Sequence, residues 1–115
     1  MRAQGLTSTI LVPPAELRRW AASRLEACGV PPADAKRVAD SLVQTSLWGI
    51  DSHGIARLPH YLRRLQARSI EPRPVMRFTA TGPCTGTLDG GHGLGILTEI
   101  TVTASLLCKT PSSWA

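Results

Sequence analysis

Two proline pairs set the tightest limit on how this chain can fold. Pro13 and Pro14, then Pro31 and Pro32, each stand just before an apolar stripe at helical spacing. A helix tolerates proline in its first turn, where backbone N–H groups have no internal partner. The first stripe is Leu17, Trp20, Ala21, Leu25 and Cys28, and Gly29 follows as a C-terminal cap. Glu16, Arg18, Arg19, Arg24 and Glu26 fill the opposite face. The second stripe is Ala35, Val38, Ala39, Leu42 and Val43, reaching Leu47, with Gly49 at its end. Asp34 lies in the first turn, where its charge suits the helix dipole. So short a link between two amphipathic helices predicts an antiparallel hairpin.

A third helix is expected to start near Ser52 to Gly54, with Leu58, Tyr61, Leu62 and Leu65 as its buried stripe. Pro59 falls near its first turn, and Ser69 to Pro74 stops it, because Pro72 and Pro74 force extended backbone. Val75, Arg77, Thr79 and Thr81 alternate with Met76, Phe78 and Ala80, the period of a strand. Cys84 to Asp89 forms its hairpin partner, and Gly90 to Gly95 reads as a glycine-rich turn. The stretch from Ile96 to Cys108 fits two periods. Ile100, Val102, Ala104, Leu106 and Cys108 alternate as in a strand, while Leu97, Ile100, Ala104 and Leu107 fit a helix. The chain thus reads as mixed α+β: three helices, then a short β-hairpin. Residues 1–12 read as a flexible lead-in.

At 115 residues there is room for one small domain. Aromatic residues make up only 4%, so the core must be aliphatic. Arginine supplies eleven of thirteen basic residues, and six lie between Arg57 and Arg77. Such a run suits phosphate, carboxylate or nucleic acid, or simply a solvated face. With one Tyr and one Phe to stack on bases, and no finger or RNA-recognition pattern, no nucleic-acid partner is expected. Cys28, Cys84 and Cys108 match neither a zinc spacing nor a redox Cys-x-x-Cys pair. His53 and His60 have no evident third ligand, so no metal is expected. No signal peptide or bilayer-spanning run is evident. With reduced thiols, this reads as a cytoplasmic protein without membrane contact.

The chemistry concentrates in residues 51–57. Asp51, Ser52, His53 and Arg57 place a carboxylate, a hydroxyl, an imidazole and a guanidinium within seven positions. At a helix start, free N–H groups favour an anion. Four residues apart on a helix, His53 and Arg57 would share a face. Arg57 can clamp a carboxylate with two hydrogen bonds, Ser52 can donate another, and His53 can exchange a proton near neutral pH. The set suits a small hydroxy or keto acid. The plainer alternative is that Asp51 or Ser52 caps the helix, Arg57 is solvated and His53 is a loop histidine.

The run Trp48, Gly49, Ile50, Asp51, Ser52, His53, Gly54, Ile55, Ala56, Arg57, Leu58, Pro59, His60, Tyr61 resembles the Ser-His-Gly-x-x-Arg motif of the malate/L-lactate dehydrogenase family. The two preceding helices have that family's order and spacing. Thr81 to Asp89, followed by Gly93, Leu94 and Gly95, resembles its next stretch. The resemblance covers residues 13–95, as the N-terminal part of the family's larger, non-Rossmann fold, and residues 96–115 read as a divergent tail.

The resemblance implies an oxidoreductase that uses NAD or NADP to interconvert a 2-hydroxy acid and a 2-keto acid. It implies that Arg57 holds the substrate carboxylate. Ser52 and His53 would contact its polar groups, with His53 also catalytic and near the nicotinamide. Family members are dimers, so a homo-oligomer or pairing with a full-length subunit is implied. A complete member is longer, with a further catalytic histidine and lysine and most cofactor contacts downstream. This chain is therefore expected to be truncated and inactive alone. The alternative is a non-catalytic helical module that pairs with such a subunit or another partner. Gly91, Gly93 and Gly95 are evenly spaced and do not form the Gly-x-Gly-x-x-Gly of a dinucleotide loop, so a structural turn is expected there.

Overall fold

A computed structural model describes residues 10–100. Helix α1 spans Pro14–Ala27 and α2 spans Pro32–Leu47, each with proline at its first position. The link between them is closed by backbone geometry. The Val30 N–H donates to the Leu25 carbonyl at 3.2 Å, and the Gly29 N–H to that of Glu26 at 2.9 Å. Gly29 has φ +95°, the left-handed conformation that this cap requires. Val30 then turns inward and is buried. Arg18, early in α1, pairs with Asp40 at 3.7 Å and reaches Gln44, late in α2. The helices therefore run antiparallel, as the short link dictates.

Helix α3 spans Leu58–Gln66. The helix expected from Ser52 to Gly54 onward starts later. Two 3-10 turns, Asp51–His53 and Ile55–Arg57, precede it, with Gly54 between them at φ −92°, ψ −144°. Pro59 has no N–H to return to the Ile55 carbonyl, which takes the Leu58 N–H in the tighter 3-10 pattern instead. At the other end of α3, Arg68 stands at φ +59° where α1 and α2 use Gly29 and Gly49. Its N–H donates to the Leu65 carbonyl at 3.1 Å, and that of Ser69 to Arg64 at 3.0 Å.

The core is aliphatic. Leu25, Leu42, Leu58, Val38 and Val43 are the largest fully buried side chains. Ile70, Leu94 and Leu97 join Ala21, Leu25, Val38, Leu42, Leu58 and Leu65 in the main cluster. All five residues of the α2 stripe are buried. Leu17, Cys28, Tyr61 and Leu62 are half-buried, and two expected core residues are exposed: Trp20 at 48% and Leu47 at 54%.

Strands β1 (Arg77–Ala80) and β2 (Gly86–Asp89) form the antiparallel hairpin, each shorter than the alternation suggested. Phe78 pairs with Leu88 and Ala80 with Gly86. A Cβ on Gly86 would meet the Phe78 ring at 2.2 Å, so the glycine gives that ring its place. The glycine stretch is a turn, with Gly91 and His92 both at φ +61°. Residues 95–100 are helical, which resolves that part of the ambiguous segment in favour of the 3.6 period. The rest of that segment, and residues 1–9 of the lead-in, lie outside the described residues. Among the described residues, Cys28 and Cys84 are free thiols, and no helix is long and apolar enough to cross a membrane.

Candidate functional site

Residues 51–57 are held to the end of α2 by one serine. The Ser46 hydroxyl accepts the Ile55 N–H at 2.9 Å, which draws Gly54 against the helix. Gly54 is buried there, and a Cβ added to it would lie 2.0 Å from Ser46 Oγ. Its φ of −92° needs no left-handed backbone; the requirement is space. Around this anchor the His53 N–H donates to the Ile50 carbonyl at 3.2 Å, and that of Arg57 to the Gly54 carbonyl at 3.0 Å.

The functional side chains cluster by short local bonds. Ser52 Oγ and His53 Nδ1 are hydrogen-bonded at 2.8 Å. Whichever tautomer is present, this bond occupies Nδ1 and leaves Nε2 for another partner. Arg57 Nε donates to the Ser52 carbonyl at 3.0 Å. That bond uses the inner edge of the guanidinium and leaves its Nη groups outward, the edge that forks a carboxylate. Ser52, His53 and Arg57 are thus brought together on the turns, not along one helix face. All three are exposed, as is Asp51, which belongs to the first turn.

His53 lines a groove of about 580 Å³. Ser41, Leu42 and Thr45 of α2 form one side, Tyr61 of α3 another, and Ile96, Glu99 and Ile100 of the following helical segment a third. Arg57 does not line it. Tyr61, expected in the core stripe, is half-buried and faces this groove. Thr45, Glu99 and Ser46 carried no local signal. Each matters through an element distant in sequence.

The description malate/L-lactate dehydrogenase matches residues 12–110, a span that continues beyond Gly95. An L-sulfolactate dehydrogenase from Methanocaldococcus jannaschii is 42% identical over 71 residues, covering 62% of this chain and 21% of that protein. A malate dehydrogenase from Pyrococcus horikoshii is 38% identical over 86 residues, covering 75% and 24%. The solved structure of the Pyrococcus horikoshii enzyme superimposes with a TM-score of 0.76 at 36% identity, over 80% of this chain and 26% of that one. A dehydrogenase structure from Sinorhizobium meliloti gives 0.79 at 32% identity, over 84% and 30%. The chain therefore spans no more than 30% of the length of any of these relatives.

Proposed function

Since the chain belongs to the malate/L-lactate dehydrogenase family, we propose that residues 51–57 form the substrate-carboxylate side of an oxidoreductase acting on a small 2-hydroxy acid and its 2-keto partner. The observation that carries this reading is the bond from Arg57 Nε to the Ser52 carbonyl, beside the bond between Ser52 and His53. Together they tie both groups to Ser52 and leave a guanidinium edge and one imidazole nitrogen unused.

In this reading Arg57 binds the substrate carboxylate through its Nη groups. The His53 Nε2 donates to, or takes a proton from, the substrate's 2-oxygen, with Ser52 fixing the ring through Nδ1. NAD or NADP would accept or return the hydride. The described residues do not form a Rossmann dinucleotide site. Their sheet is an antiparallel pair, and the glycine turn lacks the spacing of a phosphate loop. No role is therefore derived for them in holding the cofactor. The matched relatives are dehydrogenases, which favours the enzyme reading over a non-catalytic helical module. A cytoplasmic location agrees with the free Cys28 and Cys84 thiols.

Two measurements test the proposal. The 115-residue chain, mixed with malate or lactate and NAD or NADP, should show no turnover, because it spans about a quarter of its relatives' length. Measurable activity would show that this length suffices. In the full-length Pyrococcus horikoshii relative, the substitution equivalent to Arg57→Ala should lower kcat/KM on the order of 100-fold, the loss of a charge-assisted clamp worth roughly 3 kcal/mol. An unchanged kcat/KM would remove this arginine from the site.

A further inference from the structure

A second cavity, of about 210 Å³, lies between α3 and the glycine turn. Tyr61, Arg64, Ser69, Ile70 and His92 line it, with residues 93–95. We propose that it binds a phosphate-class oxyanion, with Arg64 as the principal donor.

Charge is the first argument. Residues 57–77 hold six arginines and one acid, Glu71, so this stretch alone accounts for the net charge of +5; the remainder balances at seven basic against seven acidic residues. Among the described residues the ion pairs belong to Arg18, Lys36 and Arg37. None of those six arginines has a carboxylate partner there. Glu71 does not line the cavity, and its carboxylate accepts the Arg73 N–H at 3.2 Å.

Geometry is the second argument. Arg64 Nε donates to Ser69 Oγ at 3.3 Å, and that hydroxyl donates to the Arg64 carbonyl at 3.2 Å. The guanidinium is thereby tethered by its inner edge, with its Nη groups left over. The opposite wall is built, not floppy. The Glu71 N–H donates to the His92 carbonyl at 2.8 Å, and Gly93 packs so tightly on Pro74 that a Cβ would lie 2.5 Å from the ring. Donors thus come from α3, as the Arg64 Nη groups and the Tyr61 hydroxyl, and from the turn, as the His92 ring. An anion with oxygens pointing several ways uses all of them, whereas a planar carboxylate is satisfied by the arginine fork alone. The site is independent of the dehydrogenase reading. Tyr61 is the one residue lining both this cavity and the His53 groove.

The test is a titration of the 115-residue chain with inorganic phosphate, glycerol phosphate and acetate at fixed ionic strength, followed through backbone amide resonances. Saturable shifts at Ser69 and Gly93 to Gly95 are expected below about 20 mM phosphate, with acetate far weaker. Arg64→Gln should weaken binding about fivefold or more, whereas Arg63→Gln, which removes the same charge outside the cavity, should not. His92→Asn, which tolerates the left-handed backbone, gives a second variant if Arg64→Gln perturbs the fold. Tighter binding of glycerol phosphate would assign the oxyanion to a larger phosphorylated ligand, and equal or weaker binding to free phosphate. Non-saturating shifts, equal effects of the two arginine variants, or acetate binding as well as phosphate would each overturn the proposal.

Discussion

Gly54→Ala tests how residues 51–57 are held. The added Cβ would lie 2.0 Å from Ser46 Oγ and 3.0 Å from both the Cβ and the backbone N of Ser46. The hydroxyl can rotate aside, but it then abandons the Ile55 N–H that it accepts at 2.9 Å. The other two atoms cannot rotate, so the turns must also back away from α2. Overpacking of this kind costs roughly 1–3 kcal/mol, and a half-buried donor left unpaired about 1 more. The lower entropy of the unfolded alanine chain returns about 0.4–1 kcal/mol. The net expectation is about 2 kcal/mol of destabilisation, read as a lower urea midpoint at unchanged slope. Ser46→Ala alone should cost about 1 kcal/mol, through the same unpaired N–H. In the double variant the 2.0 Å contact is gone, so the two effects should sum to more than the measured loss, by about 1 kcal/mol. A Gly54→Ala cost under about 0.5 kcal/mol, or a cycle additive to that precision, would refute the steric argument.

Two further substitutions probe the scaffold. Arg68→Gly should raise stability by roughly 0.5–1 kcal/mol, because Arg68 occupies φ +59° at a cap where glycine has no steric penalty; a lowered urea midpoint would show that the arginine side chain contributes more than its backbone costs. Leu42→Ala, at a fully buried position on α2, should cost about 2–5 kcal/mol, and loss of cooperative unfolding in this small core would be the extreme of that range, whereas a change below about 1 kcal/mol would mean that the site collapses around the gap.

The α1–α2 hairpin was legible because each of its determinants is local. The prolines, the stripe from Ala35 to Val43, and Gly29 at φ +95° all act within a few residues of where they stand. Trp20 and Leu47 mark the limit of that reading. Their apolarity states a preference, but burial needs a neighbour, and the described residues give neither full cover. The later start of α3 has a related cause. Asp51 and Ser52 look like caps, yet Gly54 is drawn onto Ser46, across a separation that no local pattern encodes. The groove was hidden in the same way. His53 was in view, but Glu99 and Ile96 reach it only because residues 95–100 adopt the helical one of two competing periods.

That later start of α3 changes what residues 51–57 can do. Had the helix begun at Ser52, its backbone N–H groups would have faced an anion, with His53 and Arg57 on one face four residues apart. The irregular turns instead spend two of those N–H groups internally, that of His53 on the Ile50 carbonyl and that of Ile55 on the Ser46 hydroxyl. In the proposed reading, anion recognition thereby falls to the Arg57 side chain. The same turns expose the Ser52 carbonyl, which takes Arg57 Nε, and set the Ser52 hydroxyl against His53. Under the proposed function, the irregular backbone is what joins the guanidinium to the imidazole through a single residue. A substitution that made the helix continuous here would break the link from Arg57 to the Ser52 carbonyl while leaving both groups present. Conversely, the Gly54 and Ser46 contact, which touches no substrate in this reading, should govern how well both are positioned.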